Sequence, residues 1–372
     1  MLTYESFWQP QLDVVSALRA EVEGLIRLAD VRTSDRGESV VFIGRLLTSA
    51  EDTYHLLRDR FRKLGYTALL RHENGEDVIV AQKGVSILTR SNPLINLLLL
   101  LATIVTTTFV GASFGQANPL AALQVAINTG AIAPLLSAMQ VGASFAATLL
   151  IILGVHEMGH YVAARLHNVN VTLPYFIPVP FGLGTFGAFI QLKSPVENRK
   201  ALFDVGLAGP VAGFVVALPL LIVGLLASDV VAAAGEGGRL GSSILIRWLV
   251  DLIHARPDGY AVALHPIAIA AWFGVLVTGF NLLPIGQLDG GHVAYAVLGK
   301  AARPIAIITF GTMILAGFTI WSGWWTWAFF TLLTGLRHAE PLNDITPLDP
   351  ARKFIGLLTL IWFLLIIVPK PF

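Results

Sequence analysis

The sequence predicts a polytopic α-helical membrane protein of about six to seven spans, preceded by a small soluble α/β domain. Three observations carry this expectation. The 372 residues are 55% hydrophobic and only 13% charged, with a mean hydropathy of +0.70, whereas a soluble globular chain carries roughly 25% charged residues. The charges are also unevenly placed, because residues 1–90 hold 12 of the 25 Lys+Arg and 13 of the 24 Asp+Glu. Finally, Ser91 to Val155 is a 65-residue run without any Asp, Glu, Lys or Arg, enough for two spans of about 20 residues and a connection. The expected division is a soluble domain over residues 1–90 and a membrane-embedded domain over 91–372.

The start, MLTYESFWQPQLDVV, has no basic stretch leading into an apolar one, and Asp13, Glu21 and Glu23 arrive early. No signal or transit peptide is expected, and the N-terminus should stay in the cytosol. Val14, Val15, Leu18, Val22, Leu25 and Ile26 recur at helical spacing and predict one amphipathic helix over 4–30. VVFIGRLL (40–47) reads as a strand, and Ser49 with Asp52 three residues later opens a helix through Leu64 that stops at Gly65. TALLRHENGEDVIVAQ then gives two strand-like runs around Glu-Asn-Gly-Glu, a hairpin signal. None of these elements carries a motif for chemistry.

Spans are expected near 93–113, 138–165, 203–227, 263–285, 304–320, 323–337 and 353–369. Seven spans would put the two termini on opposite sides unless one of the short late segments is re-entrant. With the N-terminus inside, 21 of the 25 Lys+Arg fall on the cytosolic side and only Arg239, Arg247, Arg256 and Lys370 fall outside, in agreement with the positive-inside rule. The expected location is therefore the inner membrane of a prokaryote. A net charge of +1 offers no basic surface for nucleic acid, and zero Cys excludes a disulfide framework, a thiolate metal site and a Cys nucleophile.

The informative residues are the polar exceptions in the apolar segments. LLIILGVHEMGHYVAARLHN places His156, Glu157 and His160 in a HExxH pattern at the end of the second span, and Glu157 is the first carboxylate after 79 residues without one. On a helix, positions i and i+4 share a face, so two imidazoles can bind one Zn²⁺ with Glu157 beside it to act on a water. Ionisable groups at membrane depth are costly and point to function. The blander alternative is a polar cluster at a helix end reaching for the interface.

Two His leave a tetrahedral catalytic site one protein ligand short. NLLPIGQLDGGH (281–292) offers it in Asp289, the only carboxylate between Asp258 and Glu340. Pro284 and Gly286 can unwind the helix end and turn that carboxylate inward. A simple helix stop with Asp289 capping HVAYAVLG reads equally well on composition.

HEMGH in one span and NLLPIGQLDGG in a later one resemble the paired motifs of the site-2 protease family of intramembrane zinc metalloproteases. The resemblance covers roughly residues 90–340. It implies a three-span catalytic core, one Zn²⁺ held by His156, His160 and Asp289, and Glu157 as general base. It also implies a substrate-facing or oxyanion-stabilising role for Asn281, an amide in an apolar run that must find partners. Gly209 and Gly213 in LAGPVAGF match the family's Gly-x-x-x-Gly-type segment, and close helix packing by small residues is their expected role. In this family the region of PYFIPVPFGLGTFGAFIQLKSP (174–195) forms a membrane-embedded hairpin, whose edge strand TFGAFIQL, with Gly187 and Phe189 as candidate contacts, could pair with an unwound substrate. A cytosolic loop on the membrane surface is the alternative. The small N-terminal domain is similar to that of plastid and cyanobacterial members, and no PDZ or CBS segment is recognisable.

The expected partners are thus a transmembrane protein or peptide substrate and the lipid bilayer, with no nucleic acid. The reaction implied is hydrolysis of a peptide bond within or next to a transmembrane segment. Competing readings are a metal or proton transporter using the same His/Glu/Asp cluster, and a catalytically idle relative acting as a binding scaffold. His292 is read as a helix-start histidine, His254 and His265 as lying on the outer side away from the HExxH end, and the tryptophans of WSGWWTW (321–327) as an interfacial aromatic belt.

Overall fold

The structure is a computed structural model that describes residues 9–34, 38–84, 92–232, 240–254, 259–336 and 338–372. Its chain forms two compact units. The first takes residues 1–89 together with 193–202 and 339–349, and the second takes 90–192, 203–338 and 350–372.

In the first unit, α1 (Gln9–Val22) buries Leu18 and Val22. The helix expected to run to residue 30 stops here. Gly24 takes a positive φ of 78°, a helix-ending conformation that costs glycine little, and the chain continues as β1 (Ile26–Thr33). Leu25 and Ile26 fitted the helical spacing because both face the same core from the start of the strand. β2 (Ser39–Leu46), α2 (Ala50–Lys63), β3 (Tyr66–Glu73) and β4 (Glu76–Lys83) follow the sequence reading closely. The Ser49 hydroxyl accepts from the Asp52 N–H at the start of α2, satisfying one of the helix's orphan donors. Asn74 and Gly75 both have positive φ, 52° and 83°, as a two-residue type I′ hairpin turn demands.

The sheet is antiparallel throughout in the order β1-β2-β4-β3. Its edge at β3 is continued by chain from far along the sequence. Leu70 N–H donates to Leu342 O, Asp344 N–H donates to Leu70 O, and Asn343 N–H donates to Glu197 O. Charges close this seam, with Arg199 on Asp344 at 2.9 Å, Arg71 on Glu340 at 2.8 Å and Arg58 on Glu197 at 2.7 Å. Covering an edge strand in this way removes a template for unwanted pairing.

The second unit begins with α3 (Pro93–Phe114), α4 (Pro119–Thr129) and α5 (Ala133–Leu166). A two-stranded hairpin follows, β5 (Tyr175–Pro178) and β6 (Thr185–Phe189), so the Pro/Gly-rich stretch is a hairpin as expected. Next come α6 (Arg199–Leu226), the short pair β7 (Asp229–Ala232) and β8 (Tyr260–Ala263), α7 (Ile244–Ile253) between those strands, and α8 (Pro266–Asn281). After a tight turn come α9 (Asp289–Leu298), α10 (Ala302–Thr319), α11 (Gly323–Thr334) and α12 (Pro350–Ile366). The chain is a polytopic membrane protein. Among the described residues, four stretches are long and apolar enough to cross a bilayer: α3, α5, α6 and the continuous run 289–319 through α9 and α10. The remaining places where spans were expected hold the shorter α8, α11 and α12, of 16, 12 and 17 residues.

α5 packs against α3 and α8, and Phe145, Leu149 and Ile152 of α5 join Trp272, Leu276 and Phe280 of α8 in one buried core. The tryptophans after α10 pack against other elements. Trp324 is buried and donates its indole N–H to Pro369 O, and the Trp327 ring stacks on Phe280 with centroids 4.0 Å apart.

Candidate metal centre

α5 has 34 residues, about 51 Å at 1.5 Å per residue, so it outruns a hydrocarbon core of roughly 30 Å. His156 and His160 lie one turn apart on its buried face and Glu157 is buried beside them. The opposing side is α6, where small residues admit close backbone approach. A Cβ on Gly159 would lie 2.5 Å from Ala208 O, and one on Gly209 would fall 2.0 Å from His160 Nε2. Close helix packing is the role expected of the glycines of LAGPVAGF. What they pack against is the pair of motif imidazoles.

The third donor arrives from the turn between α8 and α9. Leu282 closes α8, Gly286 adopts a φ of 56°, and Asp289 begins α9. Its two carboxylate oxygens lie 3.4 Å from His156 Nε2 and 3.4 Å from His160 Nε2, while the two Nε2 atoms are 3.2 Å apart. Donor atoms about 2.0–2.2 Å from a common tetrahedral centre stand roughly 3.3–3.6 Å from one another, close to all three separations. Three electron-pair donors converging this tightly repel unless a cation or protons lie among them. His160 Nδ1 is 2.7 Å from Val205 O, and a proton on Nδ1 leaves the Nε2 lone pair facing the cluster, as metal-binding histidines require. His156, His160 and Asp289 are the one such metal-capable group among the described residues.

Glu157 adjoins His156 on α5, and α5 packs against β6. The hairpin thus lies beside the helix that carries the motif carboxylate. Asn281, the last residue of α8, brings its Nδ2 to 3.4 Å from His156 Nε2, beside the donor cluster. Gly187 and Phe189 lie on β6. Gly187 has a φ of 98° and its N–H donates to the Thr185 hydroxyl, while the Phe189 ring is exposed and stacks on Tyr175.

His292 is in the second turn of α9, within hydrogen-bond reach of His338 and beside Gly206 of α6. His265 caps the opposite end of α8 from Asn281, about 24 Å away along the helix axis, and His254 bonds to Leu225 O. Neither takes part in the cluster. Sequence reasoning missed Asp204, whose carboxylate holds Arg352 and His167. Its signal was available, since it is a carboxylate at the start of an apolar span.

Residues 144–320 match the family described as Peptidase family M50. Among curated proteins, the "Probable zinc metalloprotease EGY1, chloroplastic" of Oryza sativa subsp. japonica is 31% identical over an alignment of 377 residues, covering 90% of this chain and 63% of that protein. The protein of the same name from Arabidopsis thaliana is 35% identical over 58% of this chain and 40% of its own length. The "Probable zinc metalloprotease EGY2, chloroplastic" of Arabidopsis thaliana is 32% identical over 60% of this chain and 41% of its own length. The chain thus spans from about two fifths to somewhat under two thirds of these relatives. Their names place them in chloroplasts, which gives the expected prokaryotic inner membrane no support. No solved structure matches the chain.

Proposed function

We propose that this chain, whose residues 144–320 match peptidase family M50, the site-2 protease family, is a membrane-embedded zinc endopeptidase cutting a peptide bond within or next to a transmembrane segment. The observation that carries this reading is the convergence of His156 Nε2, His160 Nε2 and the Asp289 carboxylate within 3.2–3.4 Å, with Glu157 on the same helix. The zinc in the relatives' names suits two imidazoles and a carboxylate, a set that leaves one tetrahedral position open. Zinc bound there would supply a Lewis acid that polarises a peptide carbonyl and makes water a nucleophile near neutral pH.

The chain's own residues carry the rest. Glu157 accepts a proton from the attacking water and delivers it to the departing amine nitrogen. The Asn281 amide, beside His156, is placed to donate to the oxygen on which negative charge develops. β6, with Gly187 and Phe189, offers an edge for an unwound substrate, beside the helix that carries Glu157. A helical substrate has its carbonyls hydrogen-bonded, so it must unwind locally before attack, and helix-weakening Gly, Asn or Pro in the substrate should favour cleavage.

Residues 1–90 are proposed as a cytosolic accessory domain, on the side where the positive-inside rule puts most Lys and Arg. The test is zinc analysis of the purified chain with cleavage of a single-span reporter protein, with and without a chelator. Chelator-sensitive cutting with about one zinc per chain supports the reading. Zinc without cutting would favour a scaffold, and zinc flux into vesicles would favour a transporter.

A further inference from the structure

We propose that Asp204 is a positioning residue for His160: it anchors the stretch of α6 whose Val205 carbonyl fixes that imidazole's tautomer. The inference rests on the metal-site reading above and goes beyond the residues that touch the cluster.

Val205 O accepts from His160 Nδ1 at 2.7 Å, and the neighbouring residue carries the anchor. Arg352 Nε donates to Asp204 Oδ1 at 2.7 Å and Arg352 Nη2 to Oδ2 at 2.6 Å. This is a two-point fork that a single-point lysine contact cannot reproduce. His167 Nε2 meets the same Oδ2 at 2.8 Å. Arg352 stands in the first turn of α12, and His167 caps the C-terminal end of α5. Three helix ends therefore meet on one carboxylate.

The connections close a ring. α5 leads from His160 to His167, His167 bonds to Asp204, and Asp204 adjoins Val205, which bonds back to His160. The register of α6 against α5 is thus set twice, once by bare glycine backbone under the imidazoles and once by this ion pair. The backbone here needs the second support. Pro210 lies inside α6 and has no N–H to give the Gly206 carbonyl, which loosens the helix's own hydrogen bonding at the turn that presents Val205. Partly exposed ion pairs usually add little to stability. The expected effect is accordingly on the placement of one carbonyl, and through it on metal affinity, since partners that orient ligating histidines are typically worth about 10- to 100-fold.

The experiment uses the full purified chain. Zinc affinity is measured by competition with a chromophoric chelator, and the visible spectrum of the Co²⁺-loaded protein reports the ligand geometry. Wild type is compared with Asp204→Asn, Arg352→Gln, Arg352→Lys and His167→Gln, and thermal unfolding of the metal-free forms reports structure. Zinc affinity roughly 10- to 100-fold weaker in Asp204→Asn and Arg352→Gln, with a shifted Co²⁺ spectrum, unchanged metal-free unfolding and an intermediate Arg352→Lys, supports the proposal. Should Asp204→Asn not fold, the two Arg352 variants and His167→Gln carry the same comparison. Affinity within about twofold of wild type, or a loss that only parallels a lower unfolding temperature, overturns it. A wild-type chain that binds no metal would instead overturn the metal-site reading.

Discussion

A Cβ placed on Gly209 would lie 2.0 Å from His160 Nε2 and 2.3 Å from its Cδ2, so α6 meets this imidazole with bare backbone. At Gly213, one turn further along α6, the added atom would lie 3.0 Å from the His156 Cβ and 3.1 Å from its Nδ1. The two glycines share one sequence motif and face different histidines with very different clearance. The centre is therefore shaped by what α6 lacks as well as by the donors that α5 and α9 supply.

Gly209→Ala should displace His160 and weaken zinc binding, whereas Gly213→Ala should be much milder. Overpacking typically costs about 1–3 kcal/mol, or roughly 5- to 150-fold in affinity if spent on the ligand position. Chelator competition on both purified variants reads the difference. Equal effects from the two would mean that general helix packing, and not the imidazole contact, explains the motif.

Glu157→Gln should keep zinc and lose most turnover, because an amide cannot accept the water proton. General acid/base groups contribute roughly 10²- to 10⁴-fold. Reporter cleavage at wild-type rates by this variant would move the base to another residue.

Asn343→Ala should destabilise the first unit. Asn343 is buried, its amide donates to the Thr346 hydroxyl at 2.7 Å and to Ala50 O at 3.3 Å, and its carbonyl accepts from Thr346 N–H. Stranding buried partners costs about 1–3 kcal/mol. Hydrogen exchange at β3 and α2 should rise in the variant. Exchange indistinguishable from wild type would show that the seam contributes nothing to the unit.

Much of this architecture was legible in the sequence where local chemistry decides it. Asn74-Gly75 between alternating apolar residues predicts its hairpin, Ser49 its helix start, and HExxH the shared face of two histidines, because each depends on neighbours within a turn. Asp289 was half legible. Its isolation in an apolar stretch marked it, and its partnership with α5 followed only from the resemblance to a family. What escaped depends on distant chain. The β3 edge is completed by residues 342–344, and the Asp204–Arg352 fork joins residues 148 positions apart; the start of β1 is instead a local ambiguity, since Leu25 and Ile26 suit either period.

Single cysteines introduced into this cysteine-free chain should report opposite sides of the membrane when placed at Glu76, the first residue of β4, and at Asp229, just beyond α6. Both positions are exposed. Labelling of the two by the same impermeant reagent from one side of sealed vesicles would refute the proposed orientation.

The most direct test of the metal centre is zinc-edge X-ray absorption on the purified chain, beside its His156→Ala/His160→Ala double variant. The expected result is about one zinc per chain with two imidazole nitrogens and further oxygen donors at roughly 2.0–2.2 Å, and no bound zinc in the double variant. Zinc retained by the double variant, or a wild-type coordination shell without imidazole, would contradict the assignment of His156, His160 and Asp289.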